Sequence, residues 1–326
     1  MSELKYLCLI NRLTPAVKGA LAEVPKRGGF YNWIHLFKGD IREWRPGMDL
    51  EKYDVVHINM SPSDQVIVPE VRRQLGWHNK TKLVLNNDHV QECWASWNIH
   101  PQQYWDIQEM GDMVFGTEKH QVSHMIPRAK IMPHPHDINM ISKFSSKEIV
   151  DAYGCIFHWW EGETFSPGTL ALQLRKEMPE VTSRLYAYMS SRDNSVRWTR
   201  MMFDELHGLM SYPDYVDSFA SNKFVMDYTK YHTYGRNSVD AAAFGTPMMG
   251  SNTVDSMRRC FPFTSFDSAD LKKAKEIAIK LLRDDKFRNK VIKYARKEVE
   301  YYDYPHAKER FLKNLKESEK DDRFYP

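Results

Sequence analysis

Residues 223–252 read KFVMDYTKYHTYGRNSVDAAAFGTPMMGSN, a succession of strand, loop, short helix, turn and strand. Residues 224–226 form an apolar run of strand length, and 228–234 are polar and aromatic. From Arg236 to Ala243 the residues allow a helix, with Asn237 or Ser238 available to cap it. Gly245 stands where a helix ends in a left-handed residue, and Pro247 follows where no helix continues. A second strand opens at Met248. A helix N-terminus at the end of a parallel strand presents backbone N–H groups and partial positive charge, which suits a phosphate. Arg236 adds a cation there, and Asp240, one turn on, can accept hydrogen bonds from sugar hydroxyls. The pattern suits a nucleotide diphosphate, although an ordinary αβ unit with a Gly C-cap has the same spacing.

A chain of 326 residues fits two domains of about 150. Hydrophobic content of 42% with 13% aromatic is that of a globular protein. No run approaches the ~20 apolar residues of a membrane span. The N-terminal MSELKYLCLINR reads as a buried strand with no cleavage site after it, so no secretory signal is expected. Cys8, Cys93, Cys155 and Cys260 are scattered, with no pair at metal-ligand spacing, and read as reduced thiols of a cytoplasmic protein. Net charge is +3, from 46 basic and 43 acidic residues. The C-terminal helices are Lys-rich with Asp and Glu interleaved, which reads as solvated helix surface rather than a nucleic-acid footprint.

Strands and helices alternate along the chain. Strands are expected over 5–10, 41–44, 54–59, 82–86, 114–115 and 130–132, with helices over 15–24, 30–37 and 69–75. The pattern restarts with strands at 155–159 and 184–189, a helix from Ser166-Pro167 to 177 and one near 198–209. Three amphipathic helices close the chain, the first capped by Asp267 or Ser268. Such alternation argues an open parallel α/β sheet, whose ligands bind beyond the C-terminal strand ends. Asp88, His89, Glu118 and residues 134–137 would lie on that edge, and the loop 160–163 on the corresponding edge of the second domain.

The segment from His232 to Pro247 resembles the donor-binding signature of GT-B glycosyltransferases, especially the retaining family 4 (glycogen synthase/phosphorylase-like) type. That signature has two Glu residues with seven between them, then a small-residue helix ending in Gly-Thr-Pro. Asp240-Ala-Ala-Ala-Phe-Gly-Thr-Pro matches its second half, with Asp240 in place of the second Glu, while His232 replaces the first. The run 131–138 resembles the family's Ile-Pro-Asn-Gly-Val-Asp, and Tyr304-Pro-His-Ala-Lys-Glu309 the start of its final helix. The resemblance implies two Rossmann-like parallel-sheet domains facing a cleft, with C-terminal helices crossing back. The expected division is an acceptor domain over 1–145, a donor domain over 146–303 and a returning helix over 304–326.

It also implies site residues. Lys230, Tyr234, Gly235, Arg236, Asn237, Ser238 and Asp240 would bind the donor, a UDP- or GDP-sugar, with no other cofactor. Lys230 reads equally as a surface loop residue. Gly28-Gly29 resembles the loop that approaches phosphate or acceptor, and reads equally as a plain turn. Leu85-Asn-Asn-Asp88 is similar to the Leu-x-x-Asp of inverting phage DNA β-glucosyltransferases, which makes Asp88 a candidate base; an Asx-type cap is its structural alternative. A His89 near the donor sugar implies retention instead, and one sequence admits both. Asp88, His89 and His232 are the candidate catalytic residues.

No Asp-x-Asp at a strand end is evident, so Arg236 and the helix dipole would carry the diphosphate without a metal. His134, His136 and Asp137 make a weak metal pattern. Trp94, Trp97, Trp159 and Trp160 are candidates for stacking on a sugar or base. The acceptor reads as a saccharide, a lipid-linked sugar or a modified nucleic acid. A nucleotide-sugar 2-epimerase and a degenerate nucleotide-sugar-binding module are the alternative functions. Oligomeric state has no sequence signature here.

Overall fold

The computed structural model of the chain describes residues 4–15, 18, 29–77, 79–88, 99–144, 148–157, 165–187, 201–208 and 210–318. Gly28, His89, Trp94, Trp97, Trp159 and the loop 160–163 lie outside the described residues. The chain divides into two units, one of Met1–Asp137 with Tyr302–Pro326, the other of Ile138–Tyr301.

The first unit runs β1 (Tyr6–Ile10), α1 (Tyr31–Phe37), β2 (Asp40–Glu43), β3 (Val55–Asn59), α2 (Val68–Leu75), β4 (Lys82–Asn87), α3 (Pro101–Glu109), β5 (Met113–Gly116), α4 (Lys119–Val122) and β6 (Lys130–Ile131). Among the described residues its strands form one parallel sheet in the order β2-β1-β3-β4-β5-β6. The order reverses between β1 and β3, the place where an open α/β sheet leaves a crevice at its carboxyl edge.

The second unit runs α5 (Ile138–Ile141), β7 (Val150–Phe157), α6 (Phe165–Glu177), β8 (Thr182–Ala187), β9 (Glu205–His207), α7 (Tyr212–Ala220) and β10 (Asn222–Asp227). It continues with α8 (Arg236–Phe244), β11 (Met248–Ser251), α9 (Asp255–Cys260), β12 (Ser265–Phe266), α10 (Leu271–Arg283) and α11 (Asp285–Glu298). Its described strands are also all parallel, ordered β12-β11-β10-β7-β8-β9, and reverse between β7 and β10. The last helix, α12 (Tyr304–Ser318), belongs to the first unit.

Side-chain alternation explains why the first sheet is apolar on both faces. Leu7 and Leu9, Val56 and Ile58, Leu83 and Leu85 point to one core with Val68, Val71 and Leu75 of α2 and Ile107 of α3. The intervening Tyr6, Cys8 and Ile10, Val55, Val84 and Phe115 point to the other, with Trp33 and Phe37 of α1. A sheet covered on both faces needs continuous apolar strands. Ala307, Phe311 and Leu315 of α12 complete that second core. The Phe311 ring lies 4.9 Å from Phe37, 5.3 Å from Trp33 and 6.0 Å from Tyr6. Burying one such ring contributes about 1.5–3 kcal/mol. A parallel bridge between His136 and Asp303, with the His136 N–H donating to the Tyr302 carbonyl at 2.8 Å, ties down the start of α12.

Three local expectations are corrected. Residues 205–207 are an edge strand, and the helix lies later, at α7, where Ser211 accepts from the Asp214 N–H. Three residues are too few to display a period, so β9 carried no signal. Ser166 lies inside α6, which already begins at Phe165. Asp270, not Asp267 or Ser268, caps α10, accepting from the Lys273 N–H at 2.9 Å. Among the described residues no helix is long and apolar enough to cross a membrane.

Candidate functional sites at the two sheet edges

In the second unit the loop after β10 is shaped by the segment after β11. The Thr229 N–H donates to Ser251 Oγ at 3.0 Å, and Thr253 Oγ1 donates to the Thr229 carbonyl at 2.9 Å. The Asp255 and Ser256 N–H groups donate to the carbonyls of Thr233 and Tyr234, at 2.9 and 3.1 Å. Tyr228 Oη donates to the Ser268 carbonyl at 2.5 Å. The loop delivers Gly235 as the N-cap of α8, with φ of 80°. A Cβ there would strike Val254 and sit 2.7 Å from Ser256 Oγ. Only glycine takes this backbone at this spacing without strain.

No side chain caps α8. Asn237 and Ser238, the expected caps, do other work. Asn237 Nδ2 donates to Asp227 Oδ2 at 3.2 Å, tying α8 to the end of β10. Ser238 Oγ donates to the Gly235 carbonyl at 3.0 Å and lies 2.6 Å from Ser256 Oγ. Arg236, at the first helical position, reaches back onto Asp240, with Nε to Oδ2 at 3.4 Å and side-chain exposures of 18% and 2%. Asp240 thus lies beneath Arg236 and holds the guanidinium at the mouth of the helix. Lys230 is exposed, its Nζ 5.4 Å from the Tyr231 ring centroid. His232 is partly exposed in the same loop, and Tyr234 is buried.

In the first unit a cavity of about 540 Å³ opens at the β1/β3 reversal. Asn11, Tyr31, Asn59, Asp64 and Asp88 contribute polar groups to it, and Gly29 lines one side. Asp64 is already engaged, accepting from the Asn11 N–H at 2.8 Å and Ser61 Oγ at 2.7 Å. Tyr31 has its hydroxyl pushed up to about 12, first by burial and then by the charges of Cys8, Asp64 and Asp88. It therefore stays protonated as a donor.

Asp88 follows the end of β4, and His134 Nε2 lies 3.6 Å from its Oδ2. Trp33 Nε1–H donates to His134 Nδ1 at 3.1 Å. An indole nitrogen only donates, so Nδ1 accepts and the neutral ring carries its proton on Nε2, toward Asp88. Gly29 packs flat on that imidazole: a Cβ would lie 2.9 Å from its Cγ. Beneath the cavity His57 Nε2–H donates to Asn86 Oδ1 at 2.8 Å, and Tyr6 Oη pairs with Nδ1. Burial lowers His57 to about 3. Among the described residues no group of three or more His, Cys, Asp or Glu converges as metal ligands do. Burial raises the Cys8, Cys155 and Cys260 thiols, the last to about 12, so none is an activated nucleophile.

No family model matches the chain, and no curated protein matches it. Solved structures do. A TarM variant from S. aureus, in complex with Fondaparinux, alpha-GlcNAc-glycerol and UDP, superposes with a TM-score of 0.62 at 12% identity, over 80% of this chain and 55% of that one. An alpha-glucosyltransferase in complex with UDP and a 13-mer DNA gives 0.66 at 9% identity, over 97% and 100%. The Anabaena protein Alr3699/HepE in complex with UDP-glucose gives 0.65 at 12% identity, over 96% and 100%. The fold is GT-B. The chain spans only about half the length of TarM, 54–55%, but essentially all of the other two.

Within this GT-B chain Arg236, Asp240, Asn237, Ser238, Gly235 and Tyr234 gather at one helix mouth, and Asp88 with Gly29 at one cavity. Trp33 and Asp64 were not singled out in the sequence, and His134 was noted only as an edge residue and a weak metal ligand. Asn59 alone had a legible signal, as the last residue of an apolar strand at a carboxyl edge.

Proposed function

We propose that the protein is a glycosyltransferase that moves a sugar from a nucleotide-sugar donor to a hydroxyl acceptor. The observation that carries this reading is Gly235–Arg236 at the N-terminus of α8, beside the β7/β10 reversal of a GT-B sheet. There the helix presents its N–H groups and a guanidinium oriented by Asp240 to a diphosphate. The donor is proposed as a UDP- or GDP-sugar. Uncapped N–H groups and one cation can neutralise the leaving diphosphate without a bound metal, which activity in EDTA would test.

The acceptor, a saccharide or a modified nucleic acid, is assigned to the cavity of the first unit. The bond from the anomeric carbon to the diphosphate oxygen breaks, and a new bond forms to the acceptor oxygen. The acceptor proton passes to Asp88 in the inverting form of the reaction. Electrostatic preorganisation of this kind contributes a large part of many enzymatic rate accelerations.

The test is thermal-shift binding of UDP, GDP, ADP and CMP and their sugars to the wild type, Arg236→Ala and Asp240→Ala. A ligand at 100 times its Kd adds about 2.7 kcal/mol. One nucleotide should raise the wild-type melting temperature and leave both variants unmoved. If no nucleotide stabilises the wild type, the reading fails. Interconversion of the sugar nucleotide without acceptor would identify an epimerase; binding with neither transfer nor hydrolysis, a binding module.

A further inference from the structure

The exposed face of α11 carries a feature the reaction does not use. Lys286, Lys290, Lys293 and Lys297 are all exposed. At 3.6 residues per turn they fall within an arc of about 60° and form a row ~16 Å long. The acidic residues of the same helix do not neutralise them: Asp285 pairs with Arg288, and Glu298 with Arg259 at 3.7 Å. Among the described residues none of the four lysines is within ion-pair distance of a carboxylate. The row borders a groove of about 570 Å³ that also holds Phe263, Asn289 and Tyr294. Phe263 is 38% exposed. Its ring stands 5.1 Å from Tyr294, edge to face, with Lys290 Nζ 4.3 Å from its centroid.

We propose that this groove binds single-stranded nucleic acid, the lysines following the phosphates and Phe263 stacking on one base. The four lysines, spread over ~16 Å, can each meet one phosphate of a single strand that follows the row. The aromatic contact fits the same partner. An exposed cation–π pair is worth about 0.5–1 kcal/mol, whereas stacking a base on an aromatic ring is worth about 1–3 kcal/mol. A base therefore displaces Lys290 from the ring and frees it for a phosphate. A lipid surface fits less well. Val291 and Ala295 of α11 are buried, and its other apolar side chains, Phe287, Ile292 and Tyr294, are only partly exposed, so little apolar surface is offered for insertion.

The experiment is fluorescence anisotropy of a labelled oligo(dT) of about 20 nucleotides over a salt series, using the full chain. Four neutralised phosphates on a single strand give a slope of log K against log salt near −3. Combined Lys286→Gln, Lys290→Gln, Lys293→Gln and Lys297→Gln should flatten the slope toward zero. All four sites are exposed, so an unchanged melting temperature is expected and checks the fold. Phe263→Ala should weaken binding about 5- to 150-fold while leaving the slope unchanged. An undiminished slope in the quadruple variant overturns the proposal, as does binding of phosphatidylserine vesicles without oligonucleotide. Nucleotide-sugar binding plays no part in the readout, so the outcome is independent of the proposed transferase reaction.

Discussion

Arg236 and Asp240 form an i, i+4 pair across the first turn of α8, with the carboxylate buried beneath the guanidinium at 3.4 Å. The pair couples binding to stability, because removing the cation leaves a carboxylate in low dielectric. Arg236→Ala should lower stability by about 1–3 kcal/mol. Adding Asp240→Asn should recover part of that loss without recovering nucleotide binding. Urea unfolding of both single variants and the double variant gives the coupling energy, and strict additivity would show that the pair does not act as a unit.

Gly235 should not tolerate a side chain. A left-handed non-glycine residue costs about 1–3 kcal/mol, and here the Cβ also meets Val254 and Ser256. Gly235→Ala should destabilise the second unit and abolish nucleotide binding. Calorimetry with and without nucleotide measures both, and an alanine variant that binds normally would mean the loop has room this geometry denies it.

Asp88→Asn keeps the shape of the side chain and removes the base. Transfer should fall about 10²- to 10⁴-fold with nucleotide binding unchanged, measured as nucleotide release in the presence of acceptor. Gly29→Ala presses on the His134 ring against Asp88. It should reduce transfer with little effect on donor binding, and equal loss of both would place its effect elsewhere.

His57 makes the first unit acid-sensitive. Burial holds the folded ring at about 3, against an ordinary 6.5. Between those values the unfolded chain binds the extra proton, so stability falls as pH drops from about 6.5 toward 3. Each unit between the two values is worth about 1.4 kcal/mol, and the loss reaches several kcal/mol. Urea unfolding at neutral pH and at pH about 4.5 should show it. His57→Gln should be less stable at neutral pH but lose less on acidification; an unchanged pH dependence would assign the effect to other groups.

The sequence alone determined the fold class. Apolar runs of strand length separated by amphipathic helices admit a parallel sheet covered on both faces, because parallel strands need helical crossovers and those helices must bury their stripes somewhere. It also determined where α8 ends, since Gly245 takes the left-handed C-cap position by backbone chemistry that acts locally. Tertiary structure decided what the polar side chains do. Asn237 and Ser238 look like caps in one dimension, yet Asn237 donates to Asp227 at the end of β10, and the Ser238 hydroxyl lies against Ser256 while donating to the Gly235 carbonyl. His134 and Trp33 are a hundred residues apart and meet only because β6 and α1 share one end of a sheet. The lysines of α11 have no acid between them along the chain and are flanked by Asp285 and Glu298. In space Arg288 and Arg259 take those acids, leaving the lysines as a row. Backbone preference is set by neighbours in sequence, whereas the partner of a charge is set by whichever group the fold brings within a few ångströms.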